Sequence, residues 1–282
     1  MNNTTGILVK VSFGKFAPKV KNKKATKEYA NNHQCDESMH DATTRLIPKE
    51  YTDRIQKFES SVRNNFVNNI TIPWERGGVN LIPTKMIDRF MSGIGSLRQN
   101  YDELVAEFLD RYEDIVADAK VRLNGDFDAA RYPSRQDVSA CFRMEVNYSP
   151  LPDAGHYLID ASKEIMDELV SDTIRSNEAR YEAARQDLRQ RLIDKVEHLA
   201  DRCKAINESD KTRWYESNLT NITDLIDLIP DMLIGDDDGL IKAVADAKSM
   251  LNGIDSDLIK GNESVRDDIR KKAAAIVSSL QF

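Results

Sequence analysis

The chain has 282 residues, 40% of them hydrophobic and 31% charged, and a formal net charge of −7. That is ordinary globular composition, with enough apolar residues for one elongated domain or two compact ones. It holds no run of about 18 apolar residues and no basic-apolar-small order at its start, which excludes a predicted membrane span and a signal peptide. Cys35, Cys141 and Cys203 are far apart and odd in number, so no disulfide framework is expected and a reducing cytoplasm fits. Residues 1–48 carry eight Lys or Arg against four acids, and residues 211–282 nine against thirteen, a polarity that hints at two differently charged surfaces.

In chain order, Gly6 to Phe13 is β-branched and alternating, and predicts a strand. The basic segment after it holds Lys15, Lys19, Lys21, Lys23, Lys24 and Lys27. A nucleic-acid contact is its functional reading and a solvated connector the preferred one, because no aromatic or Arg ladder accompanies the lysines. His33, Cys35, Asp36 and His40 are metal-ligating types, but their spacing matches no common finger, so a polar loop is preferred to a metal site. Pro48 opens a helix to about Val67 on Tyr51, Ile55, Phe58, Val62 and Phe66. Ile70, Ile72 and Trp74 flank Glu75-Arg76-Gly77-Gly78 with Val79 and Leu81, which reads as a hairpin or a pair of extended segments; Trp74 with Glu75 and Arg76 reads as a contact patch or, preferred, Trp74 as a structural residue at the mouth of a core.

Two unbroken helical runs dominate the chain. The first, capped by Thr84 and reaching Leu123, carries Phe90, Ile94, Leu97, Tyr101, Leu104, Phe108, Tyr112, Ile115, Ala119 and Leu123. Its early steps alternate four and three, and later steps of four suggest a stutter. A turn at Asn124-Gly125, a Ser134-capped helix to Phe142, a strand near Met144 to Tyr148 and an extended stretch at Pro150 and Pro152 separate it from the second run. That second run, Asp160 to Ile206, contains no Pro or Gly and has an apolar seam from Ile165 and Met166 to Ile206. The seam thins where Arg175, Arg180, Glu182, Arg185, Arg189 and Arg191 crowd the helix. Downstream lie an amphipathic stretch from Asn218 to Ile234, an acidic Gly235–Gly239 turn read as a helix cap rather than a calcium loop, and helices over Leu240–Leu251 and Glu263–Leu280.

These elements predict a mainly α, α+β protein with two long, coiled-coil-like antiparallel helices, a small β module and a C-terminal helical region. The expected division is 1–206 and 207–282. No phosphate loop, dinucleotide fingerprint, zinc-protease or nucleophile-elbow motif occurs, and the four histidines suggest no dyad, so no catalytic residue, cofactor or metal is expected.

The succession GILVKVSFGKF, RLIPKEYTDRIQKFESSVRNNF, PWERGGVNLIP, FLDRYED and LNGDFDAARYPSRQDVSACFRMEVNYSPLP resembles a family of phage and plasmid proteins of unknown function. Members are often encoded beside a MoxR-type AAA+ ATPase and a protein with a von Willebrand A domain. The resemblance covers about Gly6 to Ile206, and Pro73-Trp74, Gly77-Gly78 and Tyr132-Pro133-Ser134 are its most specific points. It implies a mobile-element protein of the bacterial cytoplasm with an ATPase as a possible partner, and carries no catalytic residues.

The expected function is a non-enzymatic scaffold that self-associates or docks a MoxR-type ATPase or host factor through its long helices, with Arg175, Arg180, Glu182, Arg185 and Arg189 selecting the partner. Two alternatives stand beside it. One is nucleic-acid binding through Lys19, Lys21, Lys23, Lys24 and Lys27; the other is inhibition of a host defence complex by the C-terminal acids.

Overall fold

A computed structural model of the chain describes residues 6–153, 162–208 and 213–281. In order, the chain forms β1 (Gly6–Gly14), β2 (Lys19–Lys21), α1 (Lys23–His33), β3 (Thr43–Arg45), α2 (Lys49–Ser61), a π-turn (Val62–Val67) and α3 (Asn68–Ile70). Then follow β4 (Ile72–Glu75), β5 (Val79–Pro83), α4 (Ile87–Asp110), α5 (Tyr112–Leu123), α6 (Arg135–Cys141) and β6 (Arg143–Ser149). The last helices are α7 (Lys163–Glu208), α8 (Ser217–Met232), α9 (Asp238–Leu251), α10 (Ser256–Gly261) and α11 (Glu263–Leu280). The protein is mainly α with a small β module.

Two compact units make up the chain, residues 1–9, 68–90 and 148–282 in the first, 10–67 and 91–147 in the second. The C-terminal helices therefore share a unit with the long helix.

In the first unit, β4 and β5 form an antiparallel hairpin with a bulge between Pro73 and Glu75, and Gly77 and Gly78 turn it at φ of +85° and +81°. Two successive left-handed residues are what a tight turn there requires, and glycine adopts them without a Cβ penalty. Residues Gly6–Val9 of β1 join this hairpin beside β5. At 46 residues, α7 is about 70 Å long. Its seam over Ala184, Leu188, Leu192, Val196, Leu199 and Cys203 is buried against the C-terminal helices and the hairpin. α11 starts beside the end of α7, where Arg266 bonds Asn207, and runs back along it with Ile269, Ala273, Ile276 and Leu280 inward. The neighbour that α7 uses within its unit is α11, supported by α8 and α9.

The second unit is organised on rings. Phe13 and Phe58 stand 5.4 and 6.4 Å from Tyr101, and Phe142 stands 6.4 Å from Phe16 and 5.5 Å from Phe108. Burial first, then the nearby charge of Glu59, pushes the Tyr101 phenol up to about 12. Residues Lys10–Gly14 of β1 lie beside β6, and β2 pairs with β3, Val20 opposite Thr44.

Two expectations need correction, and one falls outside the described residues. The run from Thr84 to Leu123 is not one helix: Thr84–Met86 is a 3-10 turn with Pro83 at its cap position, and the helix breaks at Arg111 (φ −100°, ψ 5°). The break follows Phe108, in the first pair of consecutive four-residue steps, where the heptad rhythm slips. The basic connector is folded rather than a loop, supplying β2 and the start of α1 as far as Lys27. The stretch His156 to Ile159 and the expected start of the long helix at Asp160 lie outside the described residues, as do residues 209–212 in the predicted polar break.

Candidate functional site

The arginine-rich centre of α7 was the expected partner surface, and most of its charges are taken up by the protein itself. Arg189 makes a two-pronged pair with Asp237, Nε to Oδ2 and Nη2 to Oδ1 at 2.8 Å each, with the carboxylate 1% exposed. Asp237 also accepts the Leu240 amide at 2.9 Å, capping α9 as the acidic turn suggested. Burial pushes its carboxyl up, but the bonds from Arg189 and Leu240 and the charges of Arg189 and Arg185 outweigh this and hold it below the usual range.

Arg180 pairs with Glu75 at 2.9 Å and stands 5.8 Å over the Trp74 ring, whose edge meets Tyr181 at 5.3 Å. Trp74 is therefore structural, as its place in the hairpin predicts. Arg185 bonds Glu182 at 2.7 Å on its own helix, and the same glutamate accepts from Gln186 at 2.9 Å. Arg191 donates to the carbonyls of Asn68 and Thr71 at 2.7 and 2.9 Å. Only Arg175, paired with Asp172 at 2.6 Å, keeps both partners in solvent.

Sequence alone could not find these clamps, because Asn68, Thr71, Glu75 and Asp237 are distant along the chain. The one local signal was an acid at a predicted helix start.

The N-terminal half of α7 is different. From Lys163 to Ala183 no residue is buried, although Met166, Leu169, Val170 and Thr173 continue the seam; Ile165 is 50% exposed and Ile174 47%. One helix thus carries a single apolar pattern, fully buried in one half and only partly buried in the other.

Of the nucleic-acid candidates, Lys19 and Lys21 lie on β2 and Lys23, Lys24 and Lys27 on α1, all exposed. Lys21 is held by Asp41 at 2.9 Å. Exposed Tyr29 packs between the rings of His33 and His40, at 4.3 and 4.7 Å. Asp36 spends its carboxylate on the amide and hydroxyl of Ser38. Among the described residues, no three His, Cys, Asp or Glu side chains converge as metal ligands.

Cys203 is fully buried in the seam, and burial pushes its thiol up to about 11 against the pull of Arg266 and Arg270. With Ellman's reagent at pH 8, the half-exposed Cys35 and Cys141 react in the native protein, whereas Cys203 reacts only after unfolding.

No helix among the described residues is long and apolar enough to cross a membrane. No family model matches the chain, and neither does any curated protein or solved structure.

Proposed function

We propose that this chain is a non-enzymatic interaction protein that self-associates through the N-terminal half of α7. One observation carries the reading: the seam buried from Ala184 to Cys203 runs on through Thr173, Val170, Leu169 and Met166, which are only partly buried, and Ile165 and Ile174 beside it are exposed. About twenty residues of helix give about 30 Å of seam, enough for three heptads of contact.

A second copy fits this face. In an antiparallel pair with its two-fold axis near Val170, Glu164, Asp167 and Glu168 of one copy lie near Arg175 of the other, Val170 meets its own equivalent and Met166 meets Ile174. The Arg175–Asp172 pair is solvent-exposed and readily exchanged for such a contact. The partner surface is thereby moved toward the N-terminus of α7, away from Arg180, Arg185 and Arg189.

Light scattering on the purified protein at low and high salt, with absorbance at 260 nm on the same peak, tests the reading. The expected result is a dimer free of nucleic acid that becomes a monomer in Leu169→Glu/Val170→Glu, with an unchanged helical circular dichroism spectrum. A wild-type monomer at all concentrations overturns self-association. If that monomer binds a purified MoxR-type ATPase, and loses it in the same variant, the docking form of the scaffold takes its place.

The second reading is nucleic-acid binding, favoured by exposed Tyr29 on the same helix as Lys23, Lys24 and Lys27. A monomer carrying nucleic acid that high salt removes would put it first.

A further inference from the structure

Within the first unit, α7 and α8 diverge around a cleft of about 510 Å3. Arg191, Asp194, Lys195 and His198, all on one face of α7, form one wall. Asn218, Asn221 and Asp224 of α8 form the other, Leu225 and Leu228 supply an apolar patch, and Asn68 and Asn69 contribute from α3. Two helices meeting only to bury surface would face each other with Leu and Ile. Beside their buried apolar residues, α7 and α8 line this cleft with two carboxamides, two cations, two carboxylates and an imidazole, and α3 adds two more carboxamides.

Three details distinguish the cleft from a wet groove. Arg191 is preorganised: the carbonyls of Asn68 and Thr71 hold Nη1 and Nη2, and Asp187 stands 2.7 Å from Nε. The two carbonyls engage two of the five guanidinium N–H groups, one on each Nη. Lys195 and Asp224, a cation and an anion on opposite walls, form no ion pair among the described residues. Asn218 has a buried Nδ2 without a hydrogen-bond partner, while its Oδ1 is 3.4 Å from His198 Nε2.

We propose that this cleft binds a nucleoside monophosphate whose base carries an exocyclic amine. Charge balance sets the chemistry. With cations and carboxylates both lining the cleft, a bare anion gains attraction and repulsion together, whereas a ligand with an anionic end and a donor end uses both walls. The phosphate lies at Lys195 and Arg191, the exocyclic amine donates to Asp224 and Asn221, and the flat base covers Leu225 and Leu228. The volume falls in the range of pockets that take ligands of this size.

Calorimetric titration of the full chain tests the assignment with AMP against IMP and CMP against UMP, pairs that differ at the base by an amine replaced with a carbonyl. Inorganic phosphate serves as the probe for the anionic end alone. The amine-bearing member of a pair should bind at least about ten-fold more tightly, because the carbonyl of its counterpart would face the Asp224 carboxylate unpaired. Lys195→Ala should weaken nucleotide binding about ten-fold or more, and Asp224→Asn should narrow the amine preference. Both positions are exposed, so thermal unfolding of the two variants should match wild type and exclude a folding defect.

Absence of heat with all four nucleotides at millimolar concentration overturns the proposal. So does equal affinity within both pairs, or binding indifferent to both substitutions. The oligomeric state is read separately, so failure here and failure of the α7 interface are distinguishable.

Discussion

Arg189→Ala should destabilise the first unit by about 3 kcal/mol or more and lower its thermal midpoint by roughly 6–12 °C. The alanine leaves the Asp237 carboxylate 1% exposed with no counter-ion in contact, and only the Leu240 amide and the charge of nearby Arg185 remain to stabilise it. Breaking a buried pair from one side costs more than the pair contributed, because the remaining charge keeps its desolvation penalty. Arg189→Met combined with Asp237→Leu removes that penalty and should recover most of the loss, apart from the α9 cap worth about 1 kcal/mol.

The same pair has a definite pH dependence. Asp237 has a lowered carboxyl in the folded protein, so its contribution is complete above the ordinary carboxylate value of about 4 and is lost as pH falls through the folded one. The stability gap between wild type and Arg189→Ala should therefore be widest near pH 7, narrow as the unpaired Asp237 of the variant takes up a proton, and close as pH falls through the lowered wild-type value, below about 4. Urea unfolding at a series of pH values measures it; a gap that widens in acid would place the stabilising charge elsewhere.

Gly6→Ala should be at least as damaging, for a steric reason. A Cβ at Gly6 would lie 2.1 Å from the Ile82 carbonyl oxygen and 2.9 Å from its carbon, and a backbone atom in a paired strand has no rotamer to escape into. Relief requires separating β1 from β5, with an expected loss of about 3 kcal/mol or more and a drop in soluble yield. Gly77→Ala and Gly78→Ala are the contrast. No atom lies within 4 Å of either Cβ, so each meets only the left-handed backbone penalty of about 1–2 kcal/mol.

What the sequence made legible was periodic or local. The strand at Gly6, the Gly77-Gly78 hairpin, the Ser134 cap with its reciprocal Asp137 bond, and the helix over Glu263–Leu280 each follow from a pattern contained within a few residues. Long α7 was visible for the same reason. Helix α1 was not, because Thr26 and Ala30 are its only buried residues and its lysines conceal them in a polar run. The three-residue strands β2 and β3 are too short to show alternation, and exist because they find each other across an intervening helix.

The site was less legible than the fold. Arg180, Arg185, Arg189 and Arg191 look alike along the sequence, as a charged patch on one helix. What separates them is the distant acceptor each finds: Glu75 for Arg180, Asp237 for Arg189, backbone carbonyls for Arg191. The cleft was hidden in the same way, because Lys195 and Asn221 become neighbours in a lining only when α8 returns to α7.

The division of the chain into units also sets a timetable for synthesis. Every segment of the second unit, the last ending at Asn147, leaves the ribosome before α7 has been made, so this unit can reach its native structure early. The first unit takes its N-terminal strand from ahead of the second unit yet draws its body from residues 148–282, nearly half of the chain. Gly6–Val9 and the hairpin wait, an unfinished sheet edge exposed to neighbouring nascent chains, until the C-terminal helices arrive. A ribosome stalled within α7 would therefore release a half-built protein whose aggregating part is its N-terminal strand and hairpin rather than the helix at which translation stopped.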